Sequence, residues 1–162
     1  LILRVRFALS RAVHLKLEYG PVQQRLTEQG ITQASPSDVS RAICSIRSEK
    51  LPDPAVLGNA GSFFKNPLVS QALAAELQLQ YPDLVAYPQA DGQMKLAAGW
   101  LIDKAGWKGF RDGDAGVHRF QALVLVNYGA ATGQDIAGLA LRIQQDIEKR
   151  FQVVLEMEPN RY

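Results

Sequence analysis

The chain has 162 residues, of which 47% are hydrophobic, 21% charged and 8% aromatic, and 18 Lys+Arg against 16 Asp+Glu leave a formal charge of +2. That length suits one ordinary domain, or one domain plus a piece of another, and the apolar fraction with low net charge excludes a disordered chain. No stretch approaches the roughly 18 apolar residues of a membrane helix, and the slight positive charge permits an anionic small ligand but falls short of a nucleic-acid-binding surface.

The chain opens on Leu1, Leu3, Val5, Phe7 and Leu9 alternating with Ile2, Arg4, Arg6 and Ala8. This period of two predicts a strand, and an immediate apolar strand suggests a fragment of something longer. A second short alternation over Val13–Leu17 runs into the turn signal Glu18-Tyr19-Gly20-Pro21. Pro21 can open a short helix through Glu28 that Gly30 stops. Ser35-Pro36-Ser37-Asp38 is a helix start, with Ser35 as cap, Pro36 at the first position and Asp38 in the positive first turn. Val39, Ala42, Ile43 and Ile46 follow as its apolar face, and the helix should end before Leu51-Pro52-Asp53-Pro54. Two prolines in four residues mark the best candidate for a domain boundary. The only cysteine, Cys44, lies off that stripe with no metal-ligand spacing, which points away from disulfides and metal sites and toward a reducing cytoplasm.

Leu57 to Asn66 reads as a glycine-punctuated loop with Asn66 as the cap of a helix through Ser70, Leu73, Ala74 and Leu77, broken at Tyr81-Pro82. Another helix, about Leu96 to Ala105, closes on Gly106. Gly109 to Arg119 is polar and glycine-rich, Ala122–Val126 reads as a buried strand, and Thr132 caps a long helix to about Arg150 with Ile136, Leu139, Ala140, Ile143 and Ile147 inward. A last strand covers Val153–Glu158, with Leu155 and Met157 facing one way and Glu156 and Glu158 the other. His118 and His14 lack a second ligand and default to hydrogen-bonded structural histidines. The fold class is α+β, with helices packed on a mostly antiparallel sheet.

Chemistry could reside in several places. Gly58-Asn59-Ala60-Gly61-Ser62-Phe63-Phe64-Lys65-Asn66-Pro67 brings a hydroxyl, an ammonium and an amide to a turn tight enough for close backbone approach. It has neither the Gly-Lys-Ser/Thr ending of a phosphate-binding loop nor a nucleophile elbow. Lys50, Tyr87 beside Asp91-Gly92, and Glu156 with Glu158 each have a plain structural alternative, and spacing alone does not choose.

Four segments resemble the C-terminal half of the UDP-N-acetylenolpyruvoylglucosamine reductase family, also called UDP-N-acetylmuramate dehydrogenases. They are Lys50–Pro54, Gly58–Pro67, Tyr87–Gly92 and Lys95–Asp103, and the likeness runs on through His118–Asn127 to Leu155-Glu156. The resemblance implies a bacterial cytoplasmic flavoprotein oxidoreductase of peptidoglycan precursor synthesis. In it NADPH reduces FAD, and the flavin then reduces the enolpyruvyl group of a UDP-sugar to UDP-N-acetylmuramate. It implies that Ser62 donates the proton and that Glu158 helps stabilise the enol intermediate. Substrate-holding roles fall on Tyr19, Lys50, Asn66, Tyr87, Lys108 and Gln121, lysines being suited to a diphosphate or carboxylate. Residues 1–50 would be the last part of an FAD-binding lobe, 51–152 a substrate-binding lobe, and 153–162 a terminal strand returning to the FAD lobe. The family's flavin signature, Gly-Glu-Gly-Ser-Asn, and its catalytic arginine are absent, so FAD would be held mainly by a part not in this chain. After Glu158 the sequence gives Pro159-Asn160-Arg161-Tyr162 where the family continues with Val-Arg. The alternative reading is a stand-alone nucleotide-sugar binding module without redox activity.

Overall fold

The computed structural model describes residues 2–18 and 21–160. The chain forms two compact units, Leu1–Glu49 and Lys50–Tyr162.

In the first unit, α1 (Val22–Glu28) and α2 (Pro36–Lys50) bury Val22, Leu26, Ala42 and Ile46 against one another. The start of α2 is reciprocally closed: Asp38 N–H donates to Ser35 Oγ at 3.3 Å, and Ser35 N–H to Asp38 Oδ2 at 2.8 Å. The expected strands at 1–9 and 13–17 do not form in residues 2–18. Alternation supplies a face, but ladder hydrogen bonds need a neighbouring strand, and the described residues of this unit hold none. Leu3, Phe7 and Leu9 stay exposed. Ile43 also departs from the expected stripe and is exposed, and Cys44 is an exposed free thiol.

The second unit carries the sheets. β1 (Gly58–Ser62), β5 (Arg111–Asp112), β6 (Ala115–Val117) and β7 (Val124–Asn127) form an antiparallel sheet in the order β1-β7-β6-β5. β2 (Leu68–Val69), β3 (Ala86–Pro88) and β4 (Met94–Leu96) form a second antiparallel sheet in the order β2-β4-β3. The helices are α3 (Gln71–Gln80), α4 (Ala98–Lys104) and α5 (Gly133–Phe151). One core joins them, with Phe64, Leu96, Leu101, Ile102, Val117, Ile143 and Ile147 among its members. The architecture is the expected α+β arrangement of helices on antiparallel sheets.

Three local assignments change. The expected loop at 57–66 is strand β1 over Gly58–Ser62, because β7 offers it an antiparallel partner. The cap of α3 is Ser70, whose hydroxyl accepts from Leu73 N–H, and not Asn66. The polar glycine-rich stretch after Gly109 is a hairpin, β5–β6, turning at Gly113 with φ +58°.

Helix α5 has the expected start. Thr132 Oγ1 accepts from Asp135 N–H, and Asp135 accepts from Thr132 N–H at 2.7 Å. Its end matters more for the site. Gln152 adopts φ +58°, a left-handed residue that ends the helix and returns the chain onto the core, where Val153 and Leu155 are buried. The final expected strand is reduced to one bridge, Phe64 opposite Met157.

Candidate functional site

The site begins with a fault in the β1–β7 ladder. Gly58 pairs with Asn127 and Asn59 with Val126, but the next pair is Ser62 with Val124. Between those pairs β1 advances three residues while β7 moves two, so one extra residue is accommodated as a β-bulge. Gly61 takes φ +75°, a left-handed conformation that costs a side-chain-bearing residue energy. After the bulge Ser62 pairs with Val124, and just beyond the strand Phe63 N–H donates to Leu123 O at 2.8 Å.

Phe63–Lys65 then receives the chain terminus. Lys65 N–H donates to Glu156 O and Glu158 N–H to Phe63 O, each at 2.9 Å. These bonds frame the Phe64–Met157 bridge and fix the facing of the last residues. Leu155 is buried and Met157 half-buried, while Glu156 and Glu158 point outward. Glu156 pairs with the Lys65 ammonium. Glu158 forms no ion pair among the described residues. Ala60, Ser62, Glu158 and Pro159 together line a cavity of about 330 Å³.

The other sequence-predicted residues are placed as follows. Asn66 is not near its own sequence neighbours in role: its Oδ1 accepts from Ala98 N–H at 2.9 Å, across 32 residues, and so caps α4. Tyr87 stands exposed on β3 opposite Lys95 of β4. Lys108 pairs with Asp103 at the end of α4. Gln121 lies in the β6–β7 connection, where its carbonyl accepts from Val124 N–H at 3.0 Å and its Oε1 lies against Gly99. Lys50 is exposed at the C-terminal end of α2. Tyr19 falls outside the described residues. Ser62 and Glu158 are thus brought to one cavity.

His118 is buried, and its Nδ1 has no hydrogen-bond partner among the described residues. That corrects the expectation of a hydrogen-bonded histidine; its ring packs edge-on to Phe120 instead. Burial, with Arg119 nearby, holds its pKa below the ordinary histidine value.

The larger cavity of about 510 Å³, between the β5–β6 hairpin and the start of α5, has its charges already matched. Arg142 pairs with Asp112 at 2.6 Å, Asp114 takes Arg111 at 3.0 Å and Ala130 N–H at 2.8 Å, and Asp135 caps α5. Hydrogen bonding keeps the Asp114 and Asp135 carboxyls below their ordinary pKa. Among the described residues no cluster of His, Cys, Asp or Glu suits a metal ion, and no helix is long and apolar enough to cross a membrane.

The four residues lining the Ser62 cavity, Ala60, Ser62, Glu158 and Pro159, are too few to enclose a dinucleotide cofactor. A feature that pattern reading passed over is Asn59. Its Oδ1 accepts from Gly61 N–H at 3.0 Å, and its Nδ2 donates to Leu57 O at 2.8 Å and Pro52 O at 3.4 Å. The Asn-x-Gly spacing, which suits a side chain bonding the backbone two residues on, was the available signal.

Residues 53–162 match the family model described as UDP-N-acetylenolpyruvoylglucosamine reductase, C-terminal domain. A UDP-N-acetylenolpyruvoylglucosamine reductase of Pseudomonas fluorescens is 78% identical over the whole chain, which covers 48% of that protein. One from Chromobacterium violaceum is 58% identical over 98% of this chain and 47% of its own length. The chain therefore spans about half the length of the curated relatives it matches. A crystal structure of UDP-N-acetylenolpyruvylglucosamine reductase from Thermus caldophilus aligns with a TM-score of 0.44 at 25% identity, over 78% of this chain and 36% of that one.

Proposed function

The chain belongs to the family of the UDP-N-acetylenolpyruvoylglucosamine reductase C-terminal domain, and from that premise we propose that it works within an NADPH-dependent flavoenzyme of about twice its length. That enzyme would be a cytoplasmic one that makes UDP-N-acetylmuramate for peptidoglycan. Residues 51–152 would form its substrate-binding lobe and residues 1–50 the last part of its flavin lobe. FAD, held mainly by residues outside this chain, would supply the hydride when bound and reduced.

The single observation that carries this reading is that Ser62 and Glu158, remote in sequence, line one small cavity. Adding hydride to one carbon of an enolpyruvyl double bond leaves electron density on the other carbon and its carboxylate. That carbon must take a proton. In this reading the Ser62 hydroxyl gives it, the O–H bond breaking as the C–H bond forms, and the open cavity lets solvent reprotonate the serine. A serine hydroxyl is a weak acid, so position must do what acidity does not, and a side chain set by a rigid bulge on a strand suits that task. Glu158 flanks the same space and helps stabilise the enol form. The lysines at 50 and 108, with Asn66, Tyr87, Gln121 and Tyr19, would hold the UDP-sugar, the ammonium groups meeting its diphosphate.

The test uses the full-length enzyme with Ser62→Ala. Flavin reduction by NADPH should proceed as in wild type, while reoxidation by the enolpyruvyl substrate should fall by about 10²-fold or more, the scale of general acid catalysis. Equal loss in both half-reactions would refute the proton-donor role.

A further inference from the structure

A bulge lies between Asn59 and Ser62. Beyond Gly61 and its chain neighbours, no described atom lies within 4 Å of where a Cβ on Gly61 would sit, so a side chain there would be opposed by its left-handed φ and not by a clash. An unbulged ladder would pair Ala60 and Gly61 regularly with β7. It would also move Ser62 by one residue relative to β7 and turn its side chain to the opposite face of the sheet. One half-buried carboxamide bridges the irregular segment. Asn59 Oδ1 accepts from the Gly61 N–H inside the bulge, and its Nδ2 donates to the carbonyls of Leu57 and Pro52. All its polar atoms are engaged within the chain, and they tie the bulge to the proline-stiffened segment before β1.

We propose that Asn59 is a positioning residue whose side chain holds the β1 bulge and thereby aims the Ser62 hydroxyl into the cavity it shares with Glu158. The inference rests on the reading of Ser62 as proton donor, and it assigns the residue through which the strand delivers that proton. Bulges re-aim side chains beside functional sites, and this one lies on β1, an edge strand of its sheet.

The experiment compares Asn59→Ala, Gly61→Ala and Ser62→Ala in the full-length enzyme. Asn59→Ala removes the acceptor, and Gly61→Ala penalises φ +75° without a steric clash, so two unrelated chemical changes act on one bulge. Flavin absorbance and thermal melting establish that each variant is folded, and if one is not, the other carries the test. The expected result is at least a tenfold slower flavin reoxidation by the enolpyruvyl substrate in both bulge variants. Flavin reduction by NADPH should stay within twofold of wild type, and KM for the substrate should change less than kcat. Independently of activity, the Gly61 amide proton should exchange with solvent at least tenfold faster in Asn59→Ala. Reoxidation within twofold of wild type in the bulge variants, or equal loss in both half-reactions, would overturn the positioning role. Ser62→Ala keeps the two ideas apart. If it reoxidises normally, the proton-donor reading fails; if it is blocked while the bulge variants are not, only the inference about Asn59 fails.

Discussion

Asn66 offers a way to separate a residue's structural work from its work on a ligand. Its Oδ1 caps α4 through Ala98 N–H, at a residue that is fully buried, whereas no hydrogen bond from its Nδ2 is formed among the described residues. Replacement by alanine deletes the cap and leaves a buried donor without a partner. Loss of a cap costs about 0.5–2 kcal/mol, and an unsatisfied buried N–H about 1–3 kcal/mol. These describe one event, so the expected loss is about 2 kcal/mol, or roughly 4–8 °C in melting temperature at this chain length. Asn66→Asp keeps the acceptor and puts a negative charge at the start of α4, so stability should stay within about 0.5 kcal/mol of wild type. The same aspartate removes the two donors and repels an anionic diphosphate, so UDP-sugar affinity should drop about tenfold or more. Urea unfolding followed by circular dichroism reads the first quantity, and titration calorimetry on the full-length enzyme reads the second. An Asn66→Ala variant that unfolds within about 0.5 kcal/mol of wild type, or an aspartate variant as unstable as the alanine, would show that Asn66 does not cap α4.

Two further outcomes follow from glycines and from the buried histidine. A Cβ on Gly116 would lie 2.7 Å from the Tyr128 ring and 2.9 Å from Phe110 O, and that carbonyl is held by Val117 N–H at 2.8 Å. Gly116→Ala should therefore destabilise by about 2–3 kcal/mol in urea, whereas Gly138→Ala, inside α5 with nothing within 4 Å, should stabilise by about 1 kcal/mol. For His118 the folded pKa is lowered from 6.5, so the unfolded chain binds the proton first as pH falls. Its contribution is full above about pH 6.5 and is lost as pH drops toward the folded value. Unfolding free energies measured from pH 7.5 to 5 should decline in wild type and decline less in His118→Leu; identical slopes would show that the histidine is not responsible.

Much of the fold was legible because its signals are local. Ser35 with Asp38 and Thr132 with Asp135 mark helix starts by residues that touch each other, and the apolar face of α5 repeats at the helical period. Strand β1 was hidden because Gly-Asn-Ala-Gly-Ser has the composition of a loop, and only β7, more than sixty residues on, makes it a strand. The opening alternation at residues 2–9 misled for the opposite reason, since a strand pattern does not supply its partner. Asn66 carried a cap signal that was real but aimed at the wrong helix, because capping across 32 residues leaves no trace in spacing. Of the site, the identities of Ser62 and Glu158 came from the resemblance. Their meeting at one cavity depends on segments over ninety residues apart coming together, which leaves no trace in local spacing.

The two backbone bonds that clasp Phe63–Lys65 to Glu156–Glu158 join segments over ninety residues apart. Such closure is entropically late, because a long intervening loop must be organised before the contact rewards it. During synthesis, then, the serine emerges well before its carboxylate neighbour, and the cavity cannot exist until nearly the last of these residues has left the ribosome. Cleavage after Gln152 would leave Ser62 in place yet take away Glu158 and the cover over Phe64, and with them the buried Val153 and Leu155 and the Leu155 carbonyl that accepts from Gln144 of α5.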